Sequence, residues 1–218
     1  MVRVNDTACP GKGQLYVISA PSGAGKTSLT HALIERLARR DHKARFSVSY
    51  TTRAARPGEV DGQDYHFVSM AEFEAMIAAG AFLEYARVFD RYYGTSAAET
   101  QCWLASGQDV VLDIDWQGAA QVREHAPGVI TIFIRPPSRA ELERRLRARA
   151  SDDDAQIARR LAEADDELAR AHAYDRQIVN DHFDDALGAL ERIFLDAHET
   201  QQRTSAHSKS EMSLDDRF

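Results

Sequence analysis

The sequence predicts an α/β fold, a mainly parallel β-sheet sandwiched by helices, and three observations carry that prediction. Gln14 to Ser19 is a short, nearly continuous apolar run, the pattern of a strand covered on both faces, and Val110 to Ile114 and Val129 to Ile134 repeat it. Stretches with helical spacing separate these runs, which implies right-handed crossovers between parallel strands. A glycine-rich turn, Ser22 to Thr27, joins the first run to a segment with Leu29, Leu33 and Leu37 one helical turn apart.

Along the chain, residues 1–12 are polar, lack the apolar core of a secretory signal, and are expected to be flexible. The first strand, the turn and a helix over Thr27 to Arg40 follow. The texture then changes. Phe46 to Tyr50, Asp64 to Val68 and Phe82 to Val88 are short alternating stretches split by turn signals such as Arg56-Pro57-Gly58 and Asp61-Gly62. One helix interrupts them, opened by a Ser69/Glu72 capping box and closed near Gly80. This region reads as a small, partly antiparallel insert. After the second and third buried strands the chain becomes helical and dense in charge. Ser138 with Glu141 forms another capping box, Ser151 to Asp154 marks a hinge or tip, and Arg159 to Ala173 and Phe183 to Glu199 are further helices. A weaker strand covers Gln177 to Val179. Residues 201–218 are polar with little periodicity and are expected to form a frayed, flexible tail.

Composition narrows the function classes. With 44% hydrophobic and 28% charged residues the 218-residue chain suits a globular enzyme, and no apolar run approaches the roughly 18 residues of a spanning helix. The formal net charge of −7 argues against nucleic acid as a partner, since phosphate neutralisation dominates such binding. Cys9 and Cys102 form neither a disulfide framework nor a zinc cluster. A cytoplasmic protein without membrane or nucleic-acid partners, monomeric or homo-oligomeric, is the expectation. Its arginines are clustered locally, a distribution suited to a small anionic ligand.

The glycine-rich turn carries the strongest chemistry. Residues Ala20-Pro21-Ser22-Gly23-Ala24-Gly25-Lys26-Thr27 match G-x-x-x-x-G-K-[ST], with alanine at the first and least constrained position. In this pattern backbone N–H groups converge on phosphate oxygens, the lysine reaches the outer phosphates and the hydroxyl ligates magnesium. The helix that starts here adds its positive dipole end. A nucleoside triphosphate with Mg2+ is the implied ligand, and the acceptor must be read elsewhere.

Arg53 and Arg56, before a Pro-Gly turn, could clamp a phosphate with two guanidinium forks or form a solvated basic loop. Glu84 lies between Phe82 and Ala86 on a presumed strand, and a carboxylate among apolar neighbours needs a partner. Asp113 and Asp115 close a buried strand, where ligands gather in open α/β sheets, and Asp115 could equally cap the helix that follows. Arg145 stands four residues after Glu141, so an exposed ion-paired helix would look much the same as a phosphate-binding one.

Taken together, Ser47 to Glu59, Asp61 to Phe67, Phe82 to Ala86, Tyr92-Tyr93-Gly94-Thr95, Leu112 to Gly118 and Ile178 to Asp181 resemble the guanylate kinase family in order and approximate spacing. The resemblance implies a P-loop kinase fold: a core at 13–46, 99–142 and 165–200, a GMP-binding insert at 47–98 and a helical lid at 143–164. It implies transfer of a phosphoryl group from ATP to GMP, and leaves open whether dGMP is also an acceptor. The phosphate loop through Ser28, with Asn180 near the adenine, would bind ATP. Ser49, Arg53, Arg56, Tyr65, Glu84, Tyr93, Thr95 and Asp115 would bind GMP. Lys26, Arg145 and Arg149 would be catalytic, with Arg160 a third lid contact to phosphate, and Thr27 and, through water, Asp113 would hold Mg2+. Asn180 also fits a turn residue, and the tyrosines also fit packing positions. Where many members have serine this chain has Thr95, which keeps the hydroxyl. Where many have glycine and paired glutamates at the lid tip it has Ala150 and Asp154.

Two other readings fit parts of this pattern: a guanylate kinase-like binding module, and a related kinase with another phosphorylated acceptor. The intact Gly23, Gly25, Lys26 and Thr27 weigh against the first. Glu84, Thr95 and Asp115 weigh against the second.

Overall fold

The structure, a computed structural model, describes residues 13–88, 90–148 and 153–215. Arg149, expected in the lid, and the N-terminal segment 1–12 lie outside them. Two sheets organise the chain. The larger is built from β1 (Leu15–Ser19), β2 (Ala44–Phe46), β7 (Asp109–Asp113), β8 (Ile130–Arg135) and β9 (Arg176–Val179) in the order β2-β7-β1-β8-β9, every pairing parallel.

Alternation along these strands sends side chains to two separate cores. Leu15, Val17, Val110, Leu112 and Phe133 pack on one face against α3 (Ala97–Ala105) and α4 (Trp116–His125). Tyr16, Ile18, Val111, Ile132 and Ile134 pack on the other against α1 (Lys26–Ala38) and α7 (Phe183–Asp215), with Tyr16 stacked on Phe194. Both faces are therefore covered, which explains why the strands read as continuous apolar runs.

The smaller sheet holds β3 (Tyr50–Thr51), β4 (His66–Phe67), β5 (Phe82–Val88) and β6 (Arg91–Ser96), in the order β4-β3-β6-β5. The β3–β4 pairing is parallel and the other two are antiparallel. Its helix, α2 (Met70–Ala78), carries both halves of the Ser69/Glu72 capping box, and Gly80 beyond it takes φ 65°. Phe73 of α2 stacks on Phe82 and Tyr92, giving the insert an aromatic core of its own. The stretch Phe46 to Tyr50 is divided: Phe46 pairs with β7 in the large sheet and Tyr50 with β6 in the small one.

A helical hairpin of α5 (Arg139–Ala148) and α6 (Asp154–Ala169) buries Leu142, Leu146, Ile157, Leu161 and Ala164 between its arms. Asp153 caps α6, and a one-turn 3-10 helix, Ala171–Ala173, leads into β9. The tail expected to fray after Thr200 instead continues α7 to Asp215, and no glycine or proline follows Gly188 to interrupt it. Among the described residues no helix is long and apolar enough to cross a membrane.

Candidate active site

The parallel strands end on one side, and there the phosphate loop faces the insert across a cavity of about 410 Å³. Ser19 at the end of β1 donates through its hydroxyl to the Ile114 carbonyl at 2.8 Å, which ties the base of the loop to the end of β7. Ala20, Pro21, Ser22, Gly23, Gly25, Lys26, Thr27 and Ser28 line one wall. Gly23 and Gly25 take φ of 92° and 90°, the left-handed region that glycine enters without cost. Ala24 is buried, and its carbonyl accepts a 2.7 Å hydrogen bond from the buried Asn180 amide. That amide also lies where a side chain at 25 would have to be. Asn180 thus braces the loop from behind.

Lys26 makes an ion pair with Asp113 at the end of β7. Burial opposes the lysine's charge, but the carboxylate beside it more than compensates, so its pKa stands above the ordinary value. Asp115 caps α4, its Oδ1 accepting from the N–H groups of Gln117 and Gly118 at 3.0 Å, and it lines the cavity as well. Capping and a ligand-facing position are combined in one residue.

The opposite wall comes from the insert: Ser49, Tyr65, Glu84, Ala86, Val88 and Tyr93. Glu84 is 3% exposed. A register shift between Phe82 and Glu84 sets Glu84 directly opposite Thr95, whose hydroxyl donates to Glu84 Oε1 at 2.6 Å. Burial pushes the Glu84 carboxyl up to about 7, against the pull of the Thr95 hydrogen bond and with a further upward contribution from Asp115. Thr95 itself is fully buried behind Glu84 and outside the cavity lining. The edge strand β5 is held to the core by Gln121 of α4, whose amide donates to the Tyr85 carbonyl at 2.8 Å and accepts from its N–H at 3.2 Å.

Other expected residues stand off the cavity. Arg53 gives its terminal nitrogens to Glu59 at 2.8 and 2.9 Å, and its guanidinium stands 5.2 Å from the Tyr65 ring centre. These hydrogen bonds hold Glu59 down to about 2. Arg56 is exposed, with its backbone N–H on the same carboxylate. Arg145 donates to Glu141 at 2.8 Å and to the Asn180 carbonyl at 3.1 Å, so α5 is an ion-paired helix at this position. Ser138 caps α5 through Glu141 N–H, while the Glu141 carboxylate is drawn to Arg144 and Arg145. Arg160 is half-buried on α6 and does not line the cavity.

Four residues that line the cavity were not expected there, the apolar Ala86, Val88 and Ile114 and one charged residue. Glu167 of α6 lies among the charges of Lys26 and Asp115, and burial raises its carboxyl to about 7. In the sequence nothing separates it from Glu163, Asp165 and Asp166 on the same acidic helix.

A phosphate loop and a buried carboxylate across one cavity suit a nucleotide-binding α/β protein, and comparison with known proteins places it among the phosphotransferases. The guanylate kinase family model matches residues 12–197. Guanylate kinase of Chromohalobacter salexigens is 56% identical, over 83% of this chain and 82% of its own length. That of Vibrio parahaemolyticus is 51% identical, over 91% and 95%. The crystal structure of guanylate kinase from Anaplasma phagocytophilum superposes with a TM-score of 0.68 at 34% identity, covering 88% of this chain and 89% of that one. The chain belongs to the guanylate kinase family, and it is an ATP:GMP phosphotransferase that forms ADP and GDP.

Proposed function

We propose that the cavity between the phosphate loop and the insert is where this transfer takes place, with ATP on the core wall and GMP on the insert wall. The observation that carries the assignment is Glu84, a buried carboxylate held by Thr95 and turned into the cavity that the phosphate loop lines. Guanine presents N1–H and a 2-amino group as parallel donors, which a carboxylate accepts. Ser49 and Asp115 stand on the same cavity as further polar groups, and Tyr65 and Tyr93 lie beside Arg53 for the GMP phosphate. Arg56 is on the same loop as Arg53.

The GMP phosphate is already a nucleophile, so the residues need only position it in line and neutralise charge that spreads in the transition state. Lys26 supplies positive charge from the loop, and Asn180 keeps the loop in shape through Ala24. Arg145, with Arg149 and Arg160, completes the charge when the α5–α6 hairpin closes, which also excludes water. Leu142 and Leu146 of α5 lie against Gly23, a route by which hairpin and loop can move together.

The Thr27 hydroxyl and Asp113 carboxylate, both on the cavity, are oxygen donors of the kind that suit Mg2+, which keeps most of its water and takes few protein ligands. When bound there the ion would neutralise charge on the outer phosphates of ATP. The core, insert and lid boundaries given above, a cytoplasmic location and use of dGMP belong to the same proposal.

Calorimetric titration tests the two-walled site. Lys26→Ala should weaken binding of a non-hydrolysable ATP analogue and spare GMP, and Glu84→Ala should do the reverse. Equal loss of both ligands in either variant contradicts it.

A further inference from the structure

Gly118 is the third residue of α4, a position where its N–H is taken by Asp115. It directly backs Glu84. A methyl group at 118 would stand 2.5 Å from Glu84 Oε2, 3.0 Å from Cδ and 3.2 Å from Ile114 Cδ1. Glycine lowers helix propensity, so alanine would be the better residue here if local structure alone decided. The close approach gives the missing side chain a function.

We infer that Gly118 is a positioning residue for base recognition: the space left by its absent side chain seats the Glu84 carboxylate. Thr95 donates to the other oxygen, Oε1, at 2.6 Å, so each carboxylate oxygen has its own neighbour. Gln121, one turn along the same helix, fixes the backbone of Tyr85 next to Glu84. Helix α4 therefore sets both the strand and the carboxylate. A methyl at 118 displaces the end of a side chain, and the three atoms nearest to it all belong to side chains. The fold should then persist while the acceptor pair is moved off its line. A shift of that kind leaves buried donors and acceptors mismatched, the situation that sites built to hydrogen-bond a substrate group penalise most.

This rests on Glu84 as the guanine acceptor, and a double-mutant cycle separates the two claims. Gly118→Ala should raise the KM for GMP about tenfold or more, with kcat changed less than about threefold. In the Glu84→Ala background the same substitution should shift the KM for GMP by less than about twofold, because there is no carboxylate left to displace. The KM for ATP should be unchanged in both backgrounds. If Glu84→Ala alone leaves the KM for GMP unchanged, the guanine reading falls. If Glu84→Ala raises it and Gly118→Ala does not, Gly118 has no positioning role. An equal rise from Gly118→Ala in both backgrounds means a general displacement of α4, and also overturns the inference. Should Gly118→Ala fail to fold, the double variant must fold, since the two closest contacts of the methyl, both with Glu84, are removed; failure of both is a contradiction.

Discussion

The Thr95 hydroxyl donates to Glu84 Oε1 at 2.6 Å, and both residues are buried. The bond holds a carboxylate that burial alone would make costly to charge. Thr95→Val removes the hydroxyl donor to Oε1 at nearly constant shape, at a cost of about 1–3 kcal/mol. The KM for GMP should rise and that for ATP should not, while Thr95→Ser should behave as wild type. Steady-state kinetics of the two variants check this, and equal behaviour of valine and serine would remove Thr95 from the site.

Glu84 also predicts a pH dependence. Its carboxyl is raised to about 7, so the form that accepts from guanine is lost as pH falls below that value. The KM for GMP should climb from pH 8 to pH 6, approaching roughly tenfold per unit once well below the pKa. Glu84→Gln should lack this component, whereas titration of the GMP phosphate is common to both proteins and cancels in the comparison. For stability the sign is opposite: the folded protein holds a proton that the unfolded chain releases between about 7 and the ordinary value of 4.5. The contribution of Glu84 to stability therefore grows as pH falls through that window. Glu59 and Glu141, both held down to about 2 by arginines, act in the opposite direction, and their contribution is lost as pH falls from the ordinary value of 4.5 towards 2.

Much of this was legible in the sequence, because some features are local. The phosphate loop is a contiguous motif between a buried strand and an amphipathic helix, and its ligand class follows from those residues alone. Glu84 was marked by its apolar flanks. Its register opposite Thr95 was not, since the bulge depends on pairing between β5 and β6, which sets Glu84 against a residue eleven positions on. Gly118 read only as part of a motif, and the contact that explains it crosses from core to insert. Arg145 was ambiguous by nature: an i,i+4 ion pair and a phosphate ligand share one sequence pattern, and the structure shows the ion pair.

Asn180 stands behind the phosphate loop, its amide on the Ala24 carbonyl at 2.7 Å. Asn180→Ala would leave that carbonyl without its side-chain donor and open space beside Gly25. The expected result is a raised KM for ATP with GMP binding retained, and a stability loss of about 1–3 kcal/mol. Kinetics with chemical denaturation test both. A change confined to GMP would contradict the bracing role.

For the lid, magnitudes separate the two readings of Arg145. Its pair with Glu141 is partly exposed, and such pairs contribute about 0–1 kcal/mol to stability. A charge that reaches the transferred phosphoryl group on closure contributes far more, so Arg145→Ala should lower kcat by about 10²-fold or more. The KM for GMP should change little. A shift in thermal midpoint with kcat intact would leave Arg145 as a surface residue of α5.

The most direct test of the central claim compares kcat/KM for GMP and AMP in the wild type, Glu84→Ala and Arg53→Ala. Adenine turns an unprotonated N1 toward the carboxylate and lacks the 2-amino group, so AMP leaves a desolvated charge unpaired. Sites of this kind discriminate by up to about 10⁴. The account predicts a strong preference for GMP in the wild type that collapses in Glu84→Ala. In Arg53→Ala both nucleotides should lose activity in proportion, because phosphate is common to both. A GMP-to-AMP preference unchanged in Glu84→Ala would contradict the account at its centre.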